Sequence, residues 1–524
     1  MLEPEEPRLR RLTEAQYVNS VRDLLGSEVF VPLGLEPDDR LRGFLNVGAS
    51  SASVSPRGVE RFEQAAYILA EQAMEPGLRE ALLPCDPFSV GEADCAEAFL
   101  RSFGRRAWRR PLSESELSSL LGIAAESTTV LGDFYDGLEF AVAALLQSPN
   151  FLYRVELGGA DPDGVWPARF DDWELASRLS FLVWNTTPDD ALLDAAEAGE
   201  LSTEEGLAQQ VDRLLDSPRV RAGMSAWFTD QMQLSDLDSL YKDPLVVLHM
   251  SDTLGVSARE ETLRFFEHHA FDEEGDLRDL LVSRTTFLNR EMAALYEVQA
   301  PDREGFGQVE LPVDSPRRGL LGQASFLALH SHPVSTSPTL RGLFVREVLL
   351  CQPMEPPLAD IDTSIPPVTE EARTLRERVT RHLNDGGCAG CHEKMDYIGL
   401  GLENFDGIGR HRVTDNGGTI DASGELDGIA FADPQQLALT LRNHEALAPC
   451  LVTSFVRYAN GYGEEAGQEA ALAWLNDEAD MDGYRLRSLI RSYVTSPLFL
   501  QSGPLDPVGT EPVLQPEARE DGLW

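Results

Sequence analysis

A mainly α, multidomain chain is predicted by three observations. At 524 residues the chain exceeds the size at which one hydrophobic core stops growing, so several packed units are expected. Apolar residues recur at helical spacing, and capping boxes open two of the segments. Between Gly409 and Phe431, Asp and Gly alternate with isolated apolar positions, which predicts short hairpins in a helical background.

The elements follow in order. In a first unit, 8–75, Thr13 with Gln16 forms a capping box, Tyr17, Val21, Leu24 and Leu25 supply an apolar face, and Gly26 stops the helix; a second helix covers 59–75. In a second unit, 85–157, Ser113 with Glu116 caps one helix, and Leu138, Ala141, Leu145 and Leu152 mark another over 134–153. The basic run Arg105 to Arg110 is expected to pair with nearby carboxylates rather than with an anionic ligand. Asp161-Pro-Asp-Gly164 then marks a boundary.

A central helical unit, 165–300, opens with Trp173, Leu175, Ala176, Leu179, Leu182 and Val183 at helical spacing and continues through helices over 211–215, 224–232, 259–271 and 292–298. Here His268 and His269 read as surface or capping residues rather than metal ligands. A fourth region, 310–432, holds a helix over 319–329, a polar loop from His330 to Pro338, a proline-rich linker at 351–357 and 365–367, a helix over 369–383, and the hairpins. Asp415, Asp421 and Asp427 fit turns better than a calcium loop. Closing helices are expected over 434–460 and 467–496 in a unit spanning 433–502, and the Pro- and Glu-rich tail 503–524 reads as disordered.

Composition narrows the function. The chain carries 88 acidic against 44 basic side chains, a net charge of −44, so nucleic acid and anionic membrane surfaces are disfavoured partners. A basic redox partner would be attracted, and the charge also serves solubility. Lysine occurs only at 242 and 394, leaving lysine chemistry almost no place. No window is long and apolar enough for a membrane span. Signatures of the common hydrolases, a P-loop and a dinucleotide fingerprint are lacking.

The sharpest signal is Cys388-Ala-Gly-Cys391-His392. Two thiols three positions apart can each add across a haem vinyl group, and the adjoining imidazole can ligate the iron, so the motif reads as a c-type haem site. The same three side chains could instead hold zinc with a fourth ligand, or the cysteines could form a disulfide pair. The proximal ligand is then His392. Candidates for a sixth ligand are His444, His411, His332 and Met481, with His330, His382 and Met354 behind them; Met395 lies only three residues past His392 and is demoted. Covalent haem attachment takes place outside the bacterial cytoplasm, whereas the acidic N-terminus lacks the pattern of an export signal. The preferred resolution is that Met1 opens a mature or truncated form whose leader has been removed or missed, with residence in the periplasm or at the cell surface. The other four cysteines suit the disulfides Cys85–Cys95 and Cys351–Cys450, or buried thiols.

The whole chain resembles a known family. The stretches that carry the likeness are Arg11-Leu12-Thr13 to Gly26, Arg105 to Pro111, Leu175 to Phe181, Thr336-Ser337-Pro338 with Arg341-Gly342, and Cys388 to Arg412 with Met395-Asp396, Gly399 and Leu402 to Asp406. They look like the large exported bacterial proteins built from five consecutive domains of unknown function, the planctomycete-type cytochrome c-like set. The resemblance implies a multidomain, mostly helical, exported protein with a C-terminal cytochrome c-like region and no assigned activity; the small β-hairpin insertion in that region is the residue reading of 409–431. Where the family usually has Asp-Pro this chain has Asp396-Tyr397, and where relatives tend to carry Gly-Arg it has Gly461-Tyr462. Three functions remain open: electron transfer through a single haem c, a peroxidase-like haem enzyme, or a non-catalytic binding protein with a zinc or disulfide site at the pentapeptide.

Overall fold

The computed structural model describes residues 8–51, 53–158, 168–247, 250–354, 366–383, 389–464 and 468–502. Cys388, the Asp161–Gly164 boundary and the tail from 503 lie outside the described residues, as do the side chains of Cys391 and His382. Among the described residues helices dominate, and the strands pair two by two into five small antiparallel sheets.

The capping signals work locally as expected. Thr13 and Ser113 each accept from the backbone N–H three residues on, while Gln16 and Glu116 reach back to close the box. Each such cap is worth about 1 kcal/mol. The helices Glu14–Leu25, Pro56–Met74, Glu92–Trp108, Glu114–Leu131 and Phe134–Gln147 surround one core, to which Tyr17, Phe62, Phe99, Leu138 and Phe151 contribute. A second, larger core runs from Phe44 through the central helices to Phe499. Between them lies the helix Asp172–Val183, buried from Leu175 to Val183: Phe181 enters the first core, and Leu175, Leu179 and Leu182 enter the second. Its polar side chains Ser177, Arg178 and Ser180 are buried with it.

The chain start and the end of the second unit pair as strands Arg8–Arg11 and Tyr153–Glu156, in a register that sets Arg10 opposite Arg154. Both converge on Glu156, which is 1% exposed, at 3.3 and 2.5 Å, and Arg178 of the buried helix reaches the same carboxylate. Burial opposes the charge on Glu156, but the three guanidinium groups prevail and hold its pKa at about 2. Arg178 also donates to the Phe499 carbonyl (3.1 Å) and to Asn460 (3.3 Å), tying N- and C-terminal segments together. Near Gly461, Arg10 lies 5.4 Å over the Tyr462 ring.

The basic run behaves as charge pairing predicts. Arg105 meets Asp194 and Glu197 at 2.7 and 3.1 Å, and Arg110 meets Glu116 at 2.8 Å. Arg109 is buried and donates to the carbonyls of Asn150, Phe151 and Tyr153. Disulfides join Cys85 to Cys95 and Cys351 to Cys450.

Several expectations are corrected. The helix expected over 134–153 ends at Gln147, because Ser148 caps a separate short helix, Pro149–Leu152, and the chain then becomes extended. A hairpin, Thr285–Leu288 with Gly307–Glu310, occurs where helices alone were expected. The segment 434–460 is two helices, Pro434–Arg442 and Leu447–Asn460, and 369–383 is helical only from Leu375. His269 is not a surface residue: it is 6% exposed and held by Glu273 and the Asp276 carbonyl.

Candidate functional site

The described part of the pentapeptide opens the helix Ala389–Leu400. This helix lies in backbone contact with Pro338–Phe344: a Cβ on Gly342 would overlap the Met395 carbonyl, and one on Gly399 would overlap the Pro338 carbonyl. Two glycines therefore permit an approach that any side chain would prevent.

That approach assembles a hydrogen-bonded chain around His392. His392 Nδ1 lies 3.0 Å from Asp396 Oδ2, one helical turn on, and Thr339 Oγ1 of the neighbouring helix donates to Asp396 Oδ1 at 2.8 Å. Asp396 is fully buried, while the His392 side chain is 30% exposed. The hydrogen bond to Asp396 holds the imidazole pKa above its ordinary value despite partial burial. In the neutral ring a proton kept on Nδ1 leaves the lone pair on Nε2, the tautomer a metal-ligating histidine needs. The helix continues unbroken through Tyr397.

Further contacts fix this helix and the run that follows it. Arg346 Nε donates to the Lys394 carbonyl at 3.0 Å, and its Nη1 reaches Asp427 at 2.8 Å and Gln352 at 2.7 Å. Arg341, with no exposed surface, donates to the carbonyls of Leu402, Phe405 and Asp406 and to Ser331 Oγ. Glu403 accepts from Thr336 at 2.8 Å and from Arg412 at 2.7 Å. Burial nevertheless lifts its pKa against the pull of Arg341 and Arg412. Arg317 donates to the Gly409 carbonyl and stacks over the rings of Tyr296 and Phe405.

The candidates for a sixth ligand are scattered. His444 has both nitrogens engaged, Nε2 with Asp427 at 2.9 Å and Nδ1 with the Ala446 N–H at 3.1 Å. His411 packs edge-on to Phe405 at 5.9 Å, and burial lowers its pKa. His332 is exposed in the polar loop, and Met481 is 72% exposed at the end of its helix. His330 lies against Phe326 and Phe344 at 4.9 and 4.4 Å, and burial pushes its pKa down to about 3. Met395 is buried beneath Gly342, and Met354 donates its N–H to Glu347. Among the described residues no three His, Cys, Asp or Glu side chains gather as a metal site. Sequence reading named Asp396 only as part of a motif; its spacing of four from His392 on a helix was the signal for its role. Thr339 and Arg346 carried no such signal.

Five family models match the chain in succession. Residues 10–75 match a protein of unknown function (DUF1587), 95–156 another (DUF1595), and 170–298 a third (DUF1592). Residues 317–415, which include Cys388, Cys391 and His392, match PSCyt3, a protein of unknown function (DUF1588), and residues 427–499 match DUF1585. No curated protein and no solved structure matches the chain.

Proposed function

Because the chain belongs to the planctomycete cytochrome c-like set and carries its five consecutive domains, we propose that it is an exported protein holding one covalent haem c for electron transfer. The observation that carries this reading is the His392–Asp396–Thr339 chain within the domain that contains the pentapeptide. Cys388 and Cys391 would tether the haem, and His392 would hold the iron. When bound, the group supplies reversible one-electron chemistry. Asp396 keeps the proton on Nδ1 and fixes the ring, Thr339 fixes Asp396, and Gly342 and Gly399 let the supporting helix approach.

The disulfides suit a periplasmic or surface location, where such bonds persist. A surface of net charge −44 would draw a basic redox partner rather than nucleic acid. No helix among the described residues is long and apolar enough to cross a membrane.

One observation favours a second reading, a peroxidase-like haem enzyme. A carboxylate on the far nitrogen raises the basicity of a ligating imidazole, which favours the oxidised metal. One preparation separates these readings: protein exported from a host able to mature c-type cytochromes, measured by absorbance and intact mass. A mass increase of one haem surviving denaturation supports both haem readings. Carbon monoxide binding to the reduced protein then favours the enzyme, and its absence favours electron transfer. A colourless protein at apo mass would overturn both, and metal analysis would then distinguish zinc from a disulfide at the pentapeptide.

A further inference from the structure

Around residue 245 the chain turns its apolar side chains both ways. Val247 and Met250 pack onto the small core of Leu254, Leu288 and Met292. Leu245, by contrast, is 86% exposed, and Tyr241 and Val246 are each more than half exposed. A turn fixes them outward: the Asp243 carbonyl accepts from the N–H groups of Val246 and Val247 at 3.0 and 2.8 Å, and its carboxylate accepts from the Leu245 N–H at 2.8 Å. The Asp243 N–H donates to the Pro333 carbonyl at 3.0 Å. Pro333 sits at the tip of a loop closed by the bridge between Ser331 and Thr336, and its neighbour Val334 is also more than half exposed. Tyr241, Leu245, Val246 and Val334 thus belong to two segments hydrogen-bonded into one surface.

A buried lysine makes that surface rigid. Lys242 is 3% exposed, and its ammonium donates to the carbonyls of Ala328, Ser331 and His332 at 2.8, 2.7 and 3.2 Å. Burying a charge is costly unless it is hydrogen-bonded, so these three bonds lock the strand of chain at 242 against the loop. Exposed apolar side chains scattered singly need no explanation, whereas several grouped on a fixed mount mark an interaction surface.

Charge decides what covers it. Over 241–247, 250–253 and 331–337 the charged side chains are Lys242, Asp243 and Asp252, and the lysine is turned inward. The exposed formal charge at the patch is therefore negative. A second copy of this chain, itself at −44, would be repelled, while a lysine- or arginine-rimmed apolar surface would be attracted. The exposed Tyr241 ring offers such a cation an aromatic face. Four side chains suit a small, transient contact of the kind electron-transfer pairs make. The position suits it too. Thr336, at the foot of the loop, donates to Glu403, and Thr339, five residues beyond Val334, supports Asp396. Five residues reach no more than about 18 Å, so the patch lies beside the His392–Asp396–Thr339 chain.

We propose that Tyr241, Leu245, Val246 and Val334 form the docking surface for a basic partner protein, which contacts them through an apolar patch rimmed by lysine or arginine. That the partner is a redox protein rests on the haem reading; the docking surface itself does not.

Calorimetric titration of the full chain at low salt with a small basic cytochrome c, a protein whose apolar haem edge is ringed by lysines, tests this. Leu245→Ser combined with Val334→Ser removes apolar surface and keeps every charge, so a general attraction between opposite charges is unaltered. The double variant is expected to bind about 10-fold more weakly. Val130→Ser, at an exposed apolar position on the helix Glu114–Leu131, is expected to bind as the unmodified chain does. Asp252→Lys is expected to weaken binding about 5-fold and to reduce its salt dependence. No binding of the probe, an equal loss in Val130→Ser, or full affinity in the double variant would overturn the proposal. So would self-association of the chain that the double variant abolishes. The titration needs no haem on this chain, so binding by a colourless protein would sustain the docking surface while defeating the haem reading. Haem-loaded protein that ignores the probe would do the reverse.

Discussion

His392 and Asp396 stand one helical turn apart and share a 3.0 Å contact whose acceptor is fully buried. Placing a carboxylate there commits the ring to one tautomer and one orientation, which is the role of an outer partner to a metal ligand. Asp396→Asn keeps the shape and removes the charge. In the haem-loaded protein the midpoint potential is expected to rise, because the ligand becomes less electron-rich. Redox titration followed at the haem absorbance checks this, and an unchanged potential would separate Asp396 from the iron.

The two helix-contact glycines make a sharper stability prediction. Alanine at position 342 or 399 forces backbone apart from backbone, since neither the Met395 nor the Pro338 carbonyl can rotate away. Gly342→Ala and Gly399→Ala are each expected to cost about 3 kcal/mol, the upper range for overpacking. A control alanine at Gly390, where a Cβ meets nothing within 4 Å, is expected to cost far less. Urea denaturation of the three variants gives the comparison.

Cys351–Cys450 closes a separation of 99 residues and Cys85–Cys95 one of 10. On the chain-entropy account, removing the first costs about 5 kcal/mol and removing the second about 3 kcal/mol. Paired alanine substitutions and thermal unfolding should rank them in that order. The reverse order would mean that strain or residual structure outweighs chain entropy here.

Glu261 supplies the pH dependence. It has no exposed surface, accepts from Thr286 at 2.6 Å and from Tyr296 at 2.7 Å, and lies near Arg317. Burial lifts its pKa from 4.5 to about 7. A raised carboxyl pKa means that folding favours the protonated form. Its stabilising contribution is complete below the ordinary carboxylate value and is lost as pH rises through about 7. The full loss is on the order of 3 kcal/mol. In Glu261→Gln, the fall in stability between pH 5 and pH 8 is expected to shrink by about that amount relative to the unmodified chain. Identical pH profiles for the two proteins would show that Glu261 does not titrate in this window.

Much of the fold was readable because helices announce themselves locally. The capping boxes at Thr13 and Ser113, and the apolar face of Tyr17, Val21 and Leu24, lie within a few residues of one another, and the structure reproduces them. The strand Arg8–Arg11 was not readable, and the reason is specific. It hides Arg10 and leaves Leu9 51% exposed, inverting the hydrophobic pattern on which strand recognition depends. Arg10 is tolerated inside only because Glu156, from the far end of the second unit, is there to meet it.

By itself the sequence determined the helical class, the caps, the arginine–carboxylate pairing near residue 110, and the pentapeptide with the chemistry it offers. Each rests on spacing within a turn or two of chain. Only the tertiary structure decided that Thr339 supports Asp396, that Arg346 holds the Lys394 carbonyl, and that Arg10, Arg154 and Arg178 converge on Glu156. Those relations join residues tens of positions apart, or depend on which neighbours surround a group once the chain has packed. Local periodicity carries no record of either, because burial and hydrogen bonding are settled by whatever segment arrives from elsewhere in the chain.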